Sequence, residues 1–211
     1  MPNNGDTTTI KDERDGNEYS IAKINGQYWM TQNSRLTGGS GTLTLSSDLS
    51  NVSSYTMPAE STSHFTASNF STDGRTCSND MNTGCCYNYY SATGGTISSG
   101  SNSLTATSDI CPKGWHLPSG PNITEGTDFN KLVGNTTSGW QITTGLTAFS
   151  GVAGGWYFNG SLRSTDYGYW WSSTADGASY RYGLGYKSDS GQFSRSSDYR
   201  YSGYFVRCMR D

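Results

Sequence analysis

Acyl transfer by a Ser-His-Asp triad is the first chemistry to consider, because serine is abundant in this sequence. Such a triad would have to use His64 or His116, which are the two histidines among the 211 residues. His64 lies in a Ser/Thr-rich stretch with the composition of a loop, and no pattern around it indicates a positioned base. We predict that neither histidine is catalytic and that the protein is not an enzyme.

Five cysteines could hold a metal ion or form disulfides: Cys77, Cys85, Cys86, Cys111 and Cys208. No pair has the spacing of a zinc finger, and Cys85-Cys86 is an adjacent pair, not a C-x-x-C motif. With two histidines in addition, we predict neither a metal site nor another cofactor. Disulfides are expected instead, with Cys77 pairing with Cys85 or Cys86. Scattered cysteines, low charge and abundant Ser, Thr, Gly and Tyr indicate an extracellular or cell-surface location.

Composition argues against several other classes of protein. The net charge is −3 and no Lys/Arg cluster occurs, which argues against a nucleic-acid partner. No apolar run approaches the length that spans a membrane, so this chain is not expected to insert. The first residues are polar and lack the apolar region of a signal peptide, although a leader or anchor could lie outside this sequence. An aromatic content of 13% argues against disorder.

The last 45 residues have a composition suited to molecular recognition, since they hold eight of the 15 tyrosines. Tyr offers a large amphipathic contact area, while Ser, Gly and Asp adapt their hydrogen bonds, as in antibody paratopes. A core would use Val, Ile and Leu, because a buried Tyr hydroxyl needs a partner. Within this stretch we expect Tyr182, Leu184 and Tyr186 to form the inward face of a strand, which turns the residues at 181, 183 and 185 outward.

The elements that would hold this stretch are strands and loops. Asp15-Gly16 and Asn25-Gly26 are hairpin signals that predict a three-stranded meander from Ile10 to Asn33. Residues 37–108 are predicted to be mostly loop insertions, because they are rich in Ser, Thr, Gly and Asn.

Two further elements are predicted nearer the middle of the chain. The aromatics of Cys86–Tyr90 predict a strand that returns to the core. Thr127–Val133 is the best candidate for a short helix, with Thr127 as its cap and Phe129, Leu132 and Val133 inward. We predict one α+β domain over residues 1–211, rich in strands, with long loops and one or two short helices.

Five blocks of residues follow one another along the chain. They are Asp12-x-Arg14-Asp15-Gly16-x-x-Tyr19 with Gly26-Gln27-x-Trp29-Met30-x-x-Asn33, then Tyr87-Asn88-Tyr89-Tyr90-Ser91-Ala92, Ile110-Cys111-Pro112-x-Gly114-Trp115-His116-Leu117-Pro118, Trp171-Ser172-Ser173-Thr174 and Val206-Arg207-Cys208-x-Arg210-Asp211. In this order the blocks resemble the Fibrobacter succinogenes major paralogous domain family. Together they run from Asp12 to Asp211, so the resemblance covers nearly the whole chain.

This resemblance implies a C-type-lectin-like fold, of the branch related to formylglycine-generating enzymes. It implies a structural role for His116, and core or rim positions for Trp29, Trp115, Trp170 and Trp171. In this fold the segments of Cys111 and Cys208 should be neighbours, so a Cys111–Cys208 disulfide is expected. Several family members are variable proteins of diversity-generating retroelements, in which a C-terminal stretch is mutated at template adenines.

The residues that carry out catalysis or calcium binding in related folds are missing from this sequence. Formylglycine-generating relatives need a reactive cysteine pair near the C-terminus, where Cys208 stands alone. Calcium-dependent lectins use Glu-Pro-Asn or Gln-Pro-Asp with Trp-Asn-Asp, and none of these triplets occurs. A site poor in carboxylates would bind Ca²⁺ weakly. The fold therefore implies neither turnover nor calcium-dependent sugar binding.

The genetic code supports a diversified segment at residues 175–204. Mutation of the adenines in AAC or AAT codons yields Asn, Ser, Thr, Tyr, Asp, Gly, Arg and Ala, among others, but never Trp, Lys, Gln or Met. Between Ala175 and Gly203 only Lys187 and Gln192 fall outside the reachable set. We predict one exposed ligand-binding patch made of Asp176, Ser179, Tyr180, Arg181, Gly183, Gly185, Ser194, Ser196, Asp198, Tyr199 and Ser202.

The sequence thus predicts a ligand-binding variable protein that recognises a macromolecule, which we expect to be a protein or a cell-surface component. The alternative is a fixed-sequence member of the same family with an adhesive or structural role outside the cell. A reverse transcriptase beside the gene, with a near-copy of its C-terminal coding stretch, would separate these two interpretations.

Overall fold

The computed structural model describes residues 3–36, 42–69, 74–77, 83–96, 105–120, 126–133 and 146–211. The strands in these ranges are β1 (Thr7–Lys11), β2 (Glu18–Ile24), β3 (Gln27–Met30), β4 (Leu43–Ser46), β5 (Ser54–Met57), β6 (Arg75–Cys77), β7 (Cys85–Tyr87), β8 (Trp156–Phe158), β9 (Ser161–Arg163), β10 (Tyr167–Asp176), β11 (Tyr180–Lys187), β12 (Gln192–Tyr199), β13 (Tyr204–Phe205) and β14 (Met209–Arg210). The helices are α1 (Tyr89–Ala92) and α2 (Asp128–Val133), with 3-10 turns at Ala67–Asn69 and Leu146–Phe149. The chain is therefore α+β, rich in strands, with two short α-helices.

A four-stranded antiparallel sheet, in the order β1-β2-β3-β14, holds both ends of the described chain together. The predicted meander forms its first three strands. Asn25 and Gly26 connect β2 to β3 with φ angles of 49° and 86°, as a two-residue hairpin turn that follows the twist of the strands requires. β14 pairs with β3, and so the last residues lie beside the N-terminal meander.

A six-stranded sheet, in the order β12-β11-β10-β13-β7-β6, contains the tyrosine-rich segment. β10, β11 and β12 form an antiparallel meander at one side of this sheet. After β12 the chain crosses to the other side of β10, where β13 pairs with β10 in parallel through Trp170 and Phe205. Within this sheet, the meander is therefore joined to the other strands through β10 alone, and β12 forms the edge of the sheet.

Two buried cores lie against this sheet, one on each face. Because successive strand residues point to opposite faces, Trp170 and Trp171 belong to different cores. Trp170 packs against Phe149, with 5.3 Å between ring centroids, and Trp171 stacks on Tyr204 at 4.1 Å. Trp29 and Trp115 are also buried, so the core positions predicted for the four tryptophans are confirmed.

The range 37–108, for which mostly loops were predicted, contains several short regular elements. Their described parts include the β4–β5 ribbon, β6, β7 and α1. The predicted strand at Cys86–Tyr90 is also wrong beyond Tyr87, because the chain there turns into α1. Asn88 starts this helix: its side-chain oxygen accepts a hydrogen bond from the backbone N–H of Ser91 at 2.9 Å.

The helix predicted at Thr127–Val133 is confirmed as α2, with Phe129, Leu132 and Val133 buried. Asp128, its first residue, accepts hydrogen bonds from the backbone N–H and hydroxyl of Ser119, at 2.9 and 2.7 Å. Its carboxylate also lies 3.6 Å from Nε2 of His116. Burial alone would raise the pKa of Asp128, but the hydrogen bonds outweigh it and hold the pKa below its ordinary value.

Two disulfides are present, one between residues far apart in the sequence and one between residues close together. Cys111 and Cys208 are bonded, with their Cα atoms 5.8 Å apart, which confirms the predicted pair. Cys77 is bonded to Cys85, so of the two partners left open by the sequence, Cys85 is the one used. Cys86 is a buried free thiol, and burial raises its pKa. In the described ranges no helix is long and apolar enough to cross a membrane.

The two disulfides should differ in their contribution to stability. Cys111–Cys208 closes a loop with a sequence separation of 97, and Cys77–Cys85 one of 8. Loop-closure entropy predicts that the Cys111→Ser/Cys208→Ser double variant loses about 4–5 kcal/mol of unfolding free energy, and Cys77→Ser/Cys85→Ser about 2 kcal/mol less. Urea unfolding of both double variants measures this difference. An equal loss in the two would contradict the expected dominance of the long loop.

Candidate ligand-binding surface

The candidate surface is built on the β10–β11–β12 meander, whose two tight turns project from the sheet. Gly177 lies in the β10–β11 turn with φ 75°, and Gly191 ends the β11–β12 turn with φ 66°. Both φ values belong to the left-handed region, which glycine enters without a steric penalty. β11 and β12 pair without interruption from Tyr180–Tyr199 to Lys187–Gln192, and this fixes which side chains share a face.

Strand alternation distributes the predicted site residues over both faces of this meander. We call one face the serine face; it carries Arg181, Gly183, Gly185, Ser194, Ser196 and Asp198. We call the opposite face the tyrosine face; it carries Asp176, Tyr180, Tyr182, Arg195, Ser197 and Tyr199. The remaining two predicted residues, Ser179 and Ser202, lie in the turn before β11 and in the segment after β12. The eleven residues therefore do not form a single patch.

The exposure predicted for several of these residues is also wrong. Arg181 and Ser202 have no solvent-exposed surface, and Gly183 and Gly185 are buried. The alternation was predicted correctly, with Leu184 inward, but aromatic rings from other segments cover part of the serine face. Ser194 and Tyr180 are exposed, while Asp176, Ser179, Ser196, Asp198 and Tyr199 are half-buried.

Arg181 shows how this covering works. Its guanidinium lies 5.0 Å from the ring centroid of Tyr89, the first residue of α1. Its Nη1 donates to the carbonyl oxygens of Gly177 and Tyr180, at 2.8 and 2.6 Å. Burial lowers the pKa of Arg181. The side chain thus fastens the β10–β11 turn to the sheet and is not available to a ligand.

An aromatic column forms the floor of the serine face. The ring of Tyr167 stacks on Tyr169 at 6.0 Å, Tyr169 on Tyr204 at 5.0 Å, and Tyr204 on Trp171 at 4.1 Å. The outer rings, Tyr167 and Tyr169, are half-buried, whereas Tyr204 and Trp171 are buried. Partly exposed stacked rings offer a flat apolar contact area with hydroxyl groups at the rim.

A short polar network runs beside this column. The hydroxyl of Tyr204 lies 3.1 Å from the hydroxyl of Ser196 and donates to Oδ2 of Asp198, also at 3.1 Å. Oδ1 of Asp198 accepts a hydrogen bond from the backbone N–H of Tyr199 at 2.7 Å. Burial raises the pKa of Asp198, despite these hydrogen bonds. At these half-buried positions the hydroxyl of Ser196 can donate to and accept from a ligand, whereas the carboxylate of Asp198 can accept.

A second aromatic group lies where β11 begins and β12 ends. Tyr180 contacts Tyr199 at 4.4 Å, Tyr199 stacks on Tyr201 at 4.9 Å, and Phe158 of β8 stacks on Tyr201 at 5.7 Å. Sequence reasoning assigned neither Tyr201 nor Phe158 to the site. The clustering of tyrosines near the C-terminus could have indicated Tyr201, but nothing in the sequence indicated that Phe158 contacts it.

Three cavities, of about 570, 280 and 270 Å³, border Trp115 instead. Their lining residues lie between Thr8 and His116, with Arg210 in addition, and so outside the tyrosine-rich segment. In the part of the chain that the structure describes, no group of three His, Cys, Asp or Glu side chains could hold a metal ion. The described surface of the meander carries hydroxyl groups, aromatic rings and the carboxylates of Asp176 and Asp198.

Comparison with known families identifies the scaffold. A family model described as the Fibrobacter succinogenes major domain matches residues 22–210. The chain belongs to this family. The match spans the Cys111–Cys208 disulfide and the whole of the meander. No curated protein and no solved structure matches the chain.

The tolerance of this surface to substitution should differ sharply between neighbouring positions. A Cβ at Gly183 would lie 2.7 Å from the carbonyl oxygen of Trp170 and 3.1 Å from the ring of Tyr204. We expect Gly183→Ala to lose about 1–3 kcal/mol of unfolding free energy through overpacking. Ser194 is exposed, and Ser194→Ala should change it by less than about 0.5 kcal/mol. Chemical denaturation measures both; equal effects would show that the covering of Gly183 is not a constraint.

Proposed function

We propose that this chain is the ligand-binding variable protein of a diversity-generating retroelement, with residues 175–204 as its diversified segment. The observation that supports the proposal is that the residues flanking the segment are buried, whereas several residues inside it are exposed. Trp170, Trp171, Arg207 and Cys208, which flank the segment, are buried, while Ser194, Arg195 and Ser197 inside it are exposed. A protein that must fold with many different recognition surfaces needs this arrangement, because its stability has to come from outside the varied positions.

The chemistry of the exposed positions favours a macromolecular ligand. The exposed positions of the serine face and the tyrosine face carry hydroxyl, aromatic and charged groups, as protein-recognition surfaces do. We expect the ligand to be a protein or another cell-surface component, bound without turnover. Recognition would use the exposed rims of both faces, and the buried residues Arg181, Gly183 and Ser202 would support the backbone.

Two further properties belong to the same proposal. We propose that the α+β architecture is a C-type-lectin-like fold, supported by the order of the five sequence blocks along the chain. We also propose that the protein acts outside the cell or at its surface. The two disulfides support this location, because such bonds persist in oxidising compartments.

A second candidate function is a fixed-sequence adhesive or structural surface protein of the same family. One observation favours it: Arg181 and Gly183 lie inside the proposed segment, and both are buried in specific contacts. Random substitution at these codons would damage the fold in most copies. The two candidates therefore differ in what the neighbouring DNA should contain.

The DNA beside the gene provides the first test. We expect a reverse-transcriptase gene and a near-copy of the C-terminal coding stretch that differs at adenines. Because Gly183 and Leu184 are buried, their template codons should lack adenine at the first two positions, whereas the codons for Ser194, Ser196 and Ser197 should contain it. Sequencing this locus in related isolates distinguishes the diversified protein from the fixed-sequence one. A locus with neither a reverse transcriptase nor a near-copy would favour the fixed-sequence protein.

A display library tests whether the scaffold carries diversity. Randomising the exposed residues Tyr180, Ser194, Arg195 and Ser197 should leave most clones folded, since exposed changes usually alter stability by less than about 0.5 kcal/mol each. A control library randomises Trp171, Gly183, Leu184, Phe205 and Arg207, which are all buried, and should yield mostly unfolded clones. Resistance to protease on the display particle measures folding. Equal survival of the two libraries would count against the proposed division between surface and scaffold.

A further inference from the structure

The outer edge of β12 is the most open backbone in the described structure of the meander. β12 is the last strand of the six-stranded sheet and pairs with β11 alone. Its register with β11 is unbroken over all eight residues, without a bulge. The edge of β12 that faces away from β11 therefore borders the proposed recognition surface along the whole strand.

The hydrogen-bond pattern defines which groups point to this edge. The backbone N–H of Arg200 donates to the carbonyl oxygen of Ser179 at 3.1 Å, and these residues continue the β11–β12 register by one position. In an antiparallel ladder, hydrogen-bonded pairs alternate with non-hydrogen-bonded pairs. Ser194, Ser196 and Asp198 therefore bond to β11. The N–H and C=O groups of Phe193, Arg195 and Ser197 point away from it.

These outward groups have no hydrogen-bond partner among the described residues. The side chains at Ser194, Arg195 and Ser197 are exposed, so solvent reaches the edge. The row ends at Tyr199, whose N–H is already bound by the carboxylate of Asp198 at 2.7 Å. The free edge thus extends from Phe193 to Ser197, about 17 Å of extended chain.

Natural sheet edges are usually blocked by lysine, proline, bulges or covering segments. The other edge of this sheet follows that rule: β6 has three residues, Ser61 N–H donates to the carbonyl oxygen of Arg75 at 2.8 Å, and Glu60 accepts from the N–H of Cys77 at 2.8 Å. β12 has neither proline nor lysine nor a bulge. Its one cation, Arg195, lies over the ring of Tyr182, with 5.6 Å to the centroid.

We propose that an extended segment of a partner protein adds to β12 as a seventh strand of this sheet. This inference rests on the proposed function, because it assumes that the meander faces the ligand. A row of alternating N–H and C=O groups is complementary to another extended backbone, and strand addition is a general mode of peptide recognition. Affinity would come from backbone groups that every residue type except proline presents. Selectivity would come from the side chains on both sides of the edge, Ser194 and Ser196 on the serine face and Arg195 and Ser197 on the tyrosine face.

The test uses proline, which removes an N–H donor. Arg195→Pro removes an outward N–H and leaves the ladder with β11 intact, so the protein should stay folded. Arg195→Ala is the matched control for the lost side chain. Thr9→Pro is the control for an edge proline elsewhere: β1 bonds to β2 through Asp6 and Asp12, so the N–H of Thr9 also points outward. Thermal unfolding establishes that each variant is folded.

The probe is a phage-displayed library of random linear peptides of about twelve residues, long enough to cover the free edge. Peptides selected on the unchanged protein should keep their affinity within a few-fold for Arg195→Ala and Thr9→Pro. They should lose at least about tenfold for Arg195→Pro. In addition, N-methylation of alternate residues of a selected peptide should abolish its binding to the unchanged protein in one register and spare it in the other. This second measurement keeps the test valid if Arg195→Pro does not fold.

Several outcomes would overturn strand addition. They are failure to select any peptide, equal binding of selected peptides to Arg195→Pro, and insensitivity to N-methylation in both registers. If binding depended on the side chains of Ser194 and Ser196 alone, the proposed function would survive and the strand-addition mode would not. A dimer that light scattering detects and that Arg195→Pro dissociates would show that the edge pairs with a second copy of this chain.

Discussion

One side-chain oxygen joins the three segments on which this structure depends. Oδ1 of Asn33, just after the N-terminal meander, accepts hydrogen bonds from Nε1 of Trp170 at 2.6 Å and from Nε of Arg207 at 2.7 Å. Trp170 lies in β10, the first strand of the tyrosine-rich meander, and Arg207 follows β13, the strand after the meander. Both ends of that meander are therefore fixed to the same point of the N-terminal half. All three residues are buried, and a buried acceptor that lost these donors would destabilise the fold.

Arg207 illustrates why this connection is demanding. Its guanidinium is fully buried, and no carboxylate among the described residues forms an ion pair with it. Instead it donates to Asn33 and to the carbonyl oxygens of Phe149 and Ser150, and lies 4.4 Å from the ring centroid of Phe149 and 4.9 Å from that of Trp170. Burial lowers the pKa of Arg207 to about 9. A buried cation is tolerated only when its donors are satisfied, and so these oxygens and rings must all be in place.

The sequence predicted those parts of the fold that local chemistry specifies. Asn25-Gly26 identified the β2–β3 hairpin, Thr127–Val133 the helix α2, and the alternation around Leu184 the orientation of β11. It failed where distant segments decide the outcome. Arg181 was expected outward because its strand neighbours point inward, but Tyr89 of α1 covers it. Gly183 is buried because the chain after β12 returns across the serine face and places Tyr204 over it. A local pattern cannot predict such a return.

The return of the chain also explains why the outer part of the meander is left to recognition. Tyr204 and the carbonyl oxygen of Trp170 lie against Gly183 on β11, so this glycine cannot carry a larger side chain. Farther out, the covering ends: Ser194 and Ser197 on β12 are exposed, and β12 has no neighbour on its far side among the described strands. Freedom to vary therefore increases from β10 to β12, away from the Asn33 connection. The same gradient leaves the backbone edge of β12 open, so side-chain variety and backbone hydrogen-bonding capacity coincide on one strand.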